Sequence, residues 1–219
     1  MAYIGKQPTA VPLTSSDLED NIVTSAKITD GTIALADLSA TGTKDATTFL
    51  RGDNTFASAG GGKIGQVVST NKTDTFSESV GSASFSSIVT GLTVSITPSA
   101  TTSKILVLVD MNIGADGEHG LAFQLFRDTT QIDLADASSS RARLSKGRVQ
   151  NSGSSSYQAA LSTNFLDSPS STSALTYGVK IGHTSISSKT LYINRSHDDT
   201  NDASFGRGAS TITVMEILA

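Results

Sequence analysis

The chain has 219 residues and a net charge of −4, with 34 serines and 28 threonines but no cysteine or tryptophan. The lack of cysteine excludes a disulfide framework and a thiol nucleophile, and no apolar run approaches the ~18 residues of a membrane-spanning helix. The acidic balance argues against binding to nucleic-acid phosphates. We therefore expect no nucleic-acid partner and no membrane insertion.

The residue types favour strands over helices. Thr, Val and Ile suit strands, whereas Gly, Ser, Asn and Asp suit tight turns. Composition therefore predicts an all-β protein with many short strands. At 37% apolar residues, the core is thin for a monomer, which hints at burial between copies.

Residues 1–20 form an apolar lead without periodicity. Pro8 and Pro12 disfavour a helix and favour an extended path, and the lead has no apolar core typical of a signal peptide. Tyr3 and Ile4 are apolar residues that need a partner surface. The lead is therefore either a docking segment or an unstructured terminus.

Residues 21–62 carry a faint repeat of apolar positions, five or six residues apart, at Ile22, Ile28, Ile33 and Leu38. Asp30 and Gly31 predict a turn within it. A single apolar row cannot make a core of its own. Three copies wound around one axis would bury it; the alternative is a linker with short extended pieces.

A junction closes this segment. Residues 52–54 (Gly-Asp-Asn) predict a turn between the short apolar stretches 49–50 and 56–57, and the glycines at 60–62 predict a flexible hinge. We place the start of a globular domain at residue 63.

Residues 63–219 read as a series of strands. Leu92, Val94 and Ile96 alternate with polar residues, which indicates a half-buried antiparallel strand. Residues 105–109 are apolar on both faces, so this strand needs cover from a second layer or a neighbouring chain. Eight to ten such strands predict an antiparallel β-sandwich with a jelly-roll-like arrangement.

The search for catalytic chemistry finds no motif. There is no nucleophile elbow, phosphate loop or His-Glu-x-x-His pattern around the three histidines. We expect no catalytic residue, no enzyme activity, no cofactor and no metal. Residues 197–202 (His-Asp-Asp-Thr-Asn-Asp) are the densest group of oxygen ligands, of the kind that calcium uses. They lack the EF-hand spacing, and a polar turn between two strands explains them better.

A basic stretch lies at residues 141–148. Arg141 and Arg143 fall on one side of an extended chain, and Lys146 and Arg148 fall on the other. The stretch suits contact with an anionic surface glycan or with a neighbouring chain. It equally suits a solvated strand edge that resists aggregation.

Several segments resemble bacteriophage fibre proteins. Residues 2–5 (Ala-Tyr-Ile-Gly) resemble a virion-attachment leader, residues 27–33 resemble a shaft repeat, and residues 49–56 resemble the junction before a fibre head, with Asn54 and Phe56 departing from Gly and Trp. Residues 91–98, 103–107 and 210–216 are similar to head domains of phage and marine-virus tail fibres. The resemblance implies a homotrimer, a virion-docked N-terminus and an exposed C-terminal head.

The resulting hypothesis is a trimeric fibre on the surface of a phage particle. It has an anchor at 1–20, a trimeric β shaft and junction at 21–62, and a sandwich head at 63–219. Its partners are two further copies of itself, tail or capsid proteins at the N-terminus, and a host surface glycan or protein. The predicted anchoring residues are Tyr3, Ile4 and Gly5, and the predicted host-contact residues are Asp116, His119, Arg141, Arg143, His197 and Asp199. The alternatives are a capsid fibre or decoration protein without a receptor and, third, a polysaccharide depolymerase.

Overall fold

The computed structural model describes residues 24–34, 37, 39–46, 48–58, 63–117, 120–149 and 157–219. The chain divides into two units, at residues 60 and 61. The described part of both units is β-structure and turns, with one short 3-10 turn at Ser25–Lys27. No helix in these ranges is long and apolar enough to span a membrane.

The first unit contains a small hairpin of β1 (Thr48–Leu50) and β2 (Phe56–Ser58). Its turn follows the prediction for residues 52–54, because the Arg51 amide donates to the Thr55 carbonyl at 2.8 Å and Asn54 adopts a φ of 60°. The Asp30–Gly31 turn is also confirmed, with Gly31 at a φ of 80°. Phe56 is buried, whereas Phe49 and Leu50 are exposed.

The predicted apolar repeat is only partly visible. Ile28 and Ile33 are exposed within the first unit, and Ile22 and Leu38 lie outside the described residues. An exposed apolar row is what a segment lacking its own core leaves behind. The trimeric shaft stays a prediction.

The second unit contains eleven strands among its described residues. They are β3 (Ile64–Lys72), β4 (Phe76–Val80), β5 (Thr93–Ile96), β6 (Lys104–Ala115), β7 (Gly120–Arg127), β8 (Thr130–Ile132), β9 (Lys146–Val149), β10 (Gln158–Asp167), β11 (Leu175–His183), β12 (Lys189–Ile193) and β13 (Ser210–Ile217).

Several of these strands lie end to end and make single long rows. β12 and β13 pair in the same direction along β6, and β4 and β3 pair along them in turn. β8 and β9 likewise follow one another along β7, and residues 85–96, which include β5, follow β11. The unit is therefore eight rows, two of which are interrupted by excursions at 133–145 and 194–209.

The rows form two four-row sheets. The first sheet has the order β3/β4, β12/β13, β6, β10, and the second has the order 85–96, β11, β7, β8/β9. The first row in the chain pairs with the eighth, the second with the seventh, the third with the sixth and the fourth with the fifth. This nesting is a long hairpin folded over itself, the topology of a jelly roll. The predicted all-β, jelly-roll-like sandwich is confirmed.

The core lies between the two sheets, and sequence periodicity marks its members. Val94 and Ile96 of β5 are buried, as are Leu175, Tyr177, Val179 and Ile181 of β11. On β6, Ile105, Val107 and Val109 face the core, whereas Leu106 and Leu108 are half-buried on the outer face. The expected outer cover for Leu106 and Leu108 is thus not supplied by the described strands of the unit.

The sandwich has two different ends. We call the end where β3 begins and β13 finishes the base; its loops are residues 97–103, 128–129 and 168–174. We call the opposite end the tip; its described loop residues are 81–84, 116–117 and 184–188. Because the twelve residues of β6 run from one end to the other, the ends are about 40 Å apart.

Candidate functional site at the β12–β13 loop

The excursion at 194–209 leaves the first sheet at a buried asparagine. Asn194 is fully buried and adopts a φ of 64°, a conformation that asparagine tolerates better than most residues. Its side-chain amide donates to the carbonyls of Lys72 at 2.7 Å and Asp74 at 2.9 Å, and its Oδ1 accepts from the Ser210 hydroxyl at 2.6 Å. The first residue of the loop is therefore fixed to the neighbouring β3/β4 row.

The loop carries a compact cluster of charged and aromatic side chains. The Arg195 guanidinium lies 4.4 Å from the ring centre of Tyr192, a cation–π contact. The His197 ring approaches the same tyrosine edge-on, with centroids 5.8 Å apart. Asp199 joins two arginines, at 3.4 Å from Arg195 and 2.6 Å from Arg207.

The cluster holds two carboxylates beside its two arginines, because the Asp198 carboxylate lies 3.6 Å from His197 Nε2. Two guanidinium groups share the carboxylate of Asp199, and the Arg207 side chain is 56% exposed. Guanidinium groups with free N–H donors bind carboxylates and phosphates. The arrangement suits recognition of an anionic or hydroxyl-bearing surface group.

The predicted oxygen ligands of residues 197–202 are turned to other partners. Asp199 faces arginines, and Asp202 Oδ1 accepts from the Ser204 amide at 2.8 Å, a hydrogen bond that lowers the pKa of Asp202. No group of three or more metal-ligating side chains occurs within the described ranges. The geometry matches the polar-turn interpretation of this segment.

The second predicted group lies at the tip. The Asp116 carboxylate accepts from the Thr190 amide at 3.0 Å, and the Asp116 amide donates back to the Thr190 carbonyl. Asp116 thus closes the last pairing between β6 and β12. His119, the other candidate of this group, lies outside the described residues, as do Tyr3, Ile4 and Gly5.

The basic stretch is less regular than expected. Only Lys146–Val149 form a strand, β9, whereas Arg141 and Arg143 precede it in the excursion at 133–145. The strand edge is thus observed for residues 146–149, whereas residues 141–145 belong to no strand. Arg143 Nε donates to the Ala135 carbonyl, and the Arg143 carbonyl accepts from Gln124 and Gln131, so turns and side-chain contacts hold this segment instead of a strand ladder.

The five predicted contact residues that the structure describes are not joined into one cluster. In the described part of the chain, Asp116, the Arg141–Arg143 pair and the His197–Asp199 pair sit in three separate segments with no hydrogen bond or ion pair between them. The cluster also includes three residues that sequence reasoning missed, Tyr192, Arg195 and Arg207. The available signal was two arginines flanking an acidic run, an arrangement that favours closing a loop by ion pairs.

Comparison with known proteins finds a distant structural likeness but no match in sequence. No protein-family model and no curated protein matches the sequence. The fold is similar to a solved structure of the infectious bursal disease virus Gt strain (TM-score 0.34, 12% identity, 84% of this chain and 44% of that chain). It is also similar to a VP2 subviral particle of the same virus (TM-score 0.31, 14% identity, 75% of this chain and 40% of that chain). This chain spans less than half the length of those proteins, and at these scores the likeness carries no functional argument.

Proposed function

We propose that this chain is a fibre protein on the surface of a bacteriophage particle, anchored through its N-terminal segment and contacting the host cell through the jelly-roll head. The observation that carries the proposal is the arrangement of the head: the chain enters at the base, and open loops lie at the tip. The segments that resemble phage fibres supply the rest of the argument. Binding rather than catalysis is the role of the head.

The host contacts are proposed to be multivalent. The predicted contact residues lie in separate segments, so each head presents small polar sites rather than one deep cleft. Several weak sites on each trimer, and several fibres on each particle, give high avidity without one tight site.

The proposed homotrimer is supported by an apolar row on the outer face of the first sheet. Cross-strand pairing places Val67, Met215, Leu106 and Leu166 side by side across all four rows. Val67 is 57% exposed and Leu166 is 47% exposed. An apolar band that crosses a whole sheet face is typical of a surface buried by another chain.

Localisation tests the proposal most directly. We expect gold-labelled antibodies against residues 63–219 to mark the outer ends of fibres on purified particles in electron micrographs. Label spread evenly over the capsid, with particles lacking the protein still adsorbing to cells normally, would favour the decoration protein. Shortened products after incubation of the protein with host capsule or lipopolysaccharide would favour the depolymerase.

Light scattering tests the trimer. We expect a particle of three times 22.6 kDa, and we expect Val67→Glu combined with Leu166→Glu to shift it toward the monomer, because two charges would enter the buried band. Ile186→Glu is the matched control, since Ile186 is 94% exposed in the tip loop and outside the band. A wild-type protein of 22.6 kDa would rule out the trimer.

A further inference from the structure

A second site lies on the outer face of the second sheet, near the tip. A cavity of about 270 Å³ opens there, with mostly apolar walls and one charged residue. Its lining consists of the apolar Ala83, Phe85, Ala122, Ala142 and Leu144 and the polar Arg141, His183 and Thr184. It is smaller than the ~300–1,000 Å³ of pockets that take drug-sized ligands, so it suits one sugar unit or a group of similar size.

Small residues hold this cavity open. Ala122 of β7 lines the cavity, and its paired neighbour on β11 is Gly182. A Cβ at Gly182 would overlap the ring of Phe85, so glycine is what allows that ring to lie flat against the sheet as one wall. Leu144 and Ala142 of the 133–145 excursion form walls as well.

Arg141 gives the cavity its charge. The other arginines of the second unit whose side chains are described all have a partner: Arg127 with Asp167, Arg143 with the Ala135 carbonyl, and Arg195 and Arg207 with Asp199. Within the described ranges, the Arg141 guanidinium has no carboxylate at ion-pair distance. An unneutralised guanidinium beside an apolar recess matches a ligand with a carboxylate next to an apolar group.

We propose that this cavity binds an acidic, N-acylated sugar residue of the host surface. The acyl methyl group enters the recess between Phe85 and Leu144, and the carboxylate pairs with Arg141. The Thr184 hydroxyl also borders the cavity; it donates to the Gly120 carbonyl at 3.5 Å and can accept a hydrogen bond from a sugar hydroxyl. The assignment rests on the proposed host-binding function and names the chemistry that the head recognises.

The experiment measures binding of three probes to the full chain by ligand-observed NMR. N-acetylneuraminic acid carries both recognised groups, N-acetylglucosamine lacks the carboxylate, and glucuronic acid lacks the acyl group. We expect the first to bind most tightly. Arg141→Gln should weaken it about tenfold, the loss of one charge-assisted hydrogen bond, with little effect on N-acetylglucosamine.

Two further variants complete the design. Ala142→Leu, at an exposed wall position, should fill the recess and weaken both N-acetylated probes. Arg51→Gln, at an exposed position in the first unit, is the matched control and should bind as the wild type does. Unchanged unfolding midpoints would show that each variant folds.

The outcomes separate this assignment from the proposed function. Wild-type affinity in Arg141→Gln, or no binding of N-acetylneuraminic acid, overturns the cavity assignment even where the protein still attaches to host cells. Selective, Arg141-dependent binding of the probe by a protein that does not attach to host cells upholds the cavity and overturns the proposed function.

Discussion

At the base of the sandwich a buried carboxylate joins the two sheets, whereas the side-chain hydrogen bonds of the described tip loops are exposed or half-buried. Asp167 of β10 accepts from Arg127 at 2.7 Å and from the Tyr177 hydroxyl at 2.8 Å, both on the opposite sheet. At the tip, Ser185 and Ser187 share a hydrogen bond of 3.2 Å between exposed oxygens.

A second buried carboxylate strengthens the contrast. Glu216 of β13 is 1% exposed. It accepts from both the amide and the hydroxyl of Ser99 at 2.6 Å, and from Gln66 at 2.8 Å. These bonds fix the base loop at 97–103 to the first sheet. Hydrogen bonds to a buried charge are strong, and losing one partner is costly.

The residues at the base contribute to folding stability, whereas the residues at the tip are exposed to solvent. Networks of buried charge hold the base rigid, so substitutions there are expected to act on folding. The tip loops have exposed contacts and an almost fully exposed Ile186, so substitutions there are expected to act on the surface alone. A head that must keep one structure while its contact surface changes would divide its residues in this way.

The largest expected effect comes from breaking the network that joins the sheets at the base. Asp167→Ala leaves the Arg127 charge and the buried Tyr177 hydroxyl without their acceptor, so we expect a loss of about 3–5 kcal/mol in the free energy of unfolding. Urea unfolding measures it. Tyr177→Phe removes one donor and keeps the ion pair, so its cost should be about 1 kcal/mol.

The same network shifts the pKa values of Tyr177 and Arg127. Burial, and then the hydrogen bond to Asp167, raise the pKa of Tyr177 above its ordinary value. Burial alone would lower the pKa of Arg127, but the bond and charge of Asp167 outweigh burial and raise it. Equal stability of Asp167→Ala and the wild type would contradict this account of the base.

The next effect concerns Asn194, where the first sheet releases the 194–209 loop. Asn194→Ala removes three hydrogen bonds and leaves at a positive φ a residue that adopts this conformation less readily than asparagine, so we expect a loss of about 2–3 kcal/mol. Asn194→Gly loses the same bonds but accepts the φ, and should be less damaging by about 1 kcal/mol. Equal losses in the two variants would show that the backbone conformation contributes nothing.

Asn194 also shows where sequence reasoning stops. Alternation predicted β5 and its buried face, because period-two patterning depends only on neighbouring residues. The interruption between β12 and β13 depends on Lys72, Asp74 and Ser210, which are distant from Asn194 in the sequence. Nothing local distinguishes this asparagine from the others, so the interrupted rows could not be predicted.

The candidate site was likewise predictable from the sequence only in part. Residues 197–202 stand out in the sequence because polar ligands are adjacent there, and His197 and Asp199 do belong to a cluster. The role of Tyr192 depends on Arg195 folding back across its ring, which is a tertiary contact. The sequence predicts the charge of the Arg141 cavity but not its walls, because the walls come from segments that are distant from one another in the sequence.

A smaller and pH-dependent effect is expected at Glu216. Hydrogen bonds from Ser99 lower the pKa of Glu216 from 4.5 to about 2, against the opposing effect of burial. Because the pKa in the folded state is the lower one, the stabilisation is present above about pH 4.5 and is lost as the pH falls toward 2. We expect Glu216→Gln to cost about 1–3 kcal/mol at pH 7.

The measurement is the difference in unfolding free energy between the wild type and Glu216→Gln across pH 2 to 7. That difference should shrink as the pH falls through this window. Subtracting the variant cancels the exposed carboxylates that titrate in the same range. A difference that stays constant down to pH 2 would mean that the charge of Glu216 does not stabilise the base.

The smallest effect is expected at the tip, from Asp116→Ala. Among the described residues, Asp116 accepts one hydrogen bond, from the Thr190 amide at 3.0 Å, and it is only half-buried, so water replaces the lost acceptor. We expect a loss of about 1 kcal/mol or less, against several times that for Asp167→Ala, in parallel urea titrations. A comparable loss for the two aspartates would mean that the tip is as tightly held as the base, and the division between a rigid base and a variable tip would no longer stand.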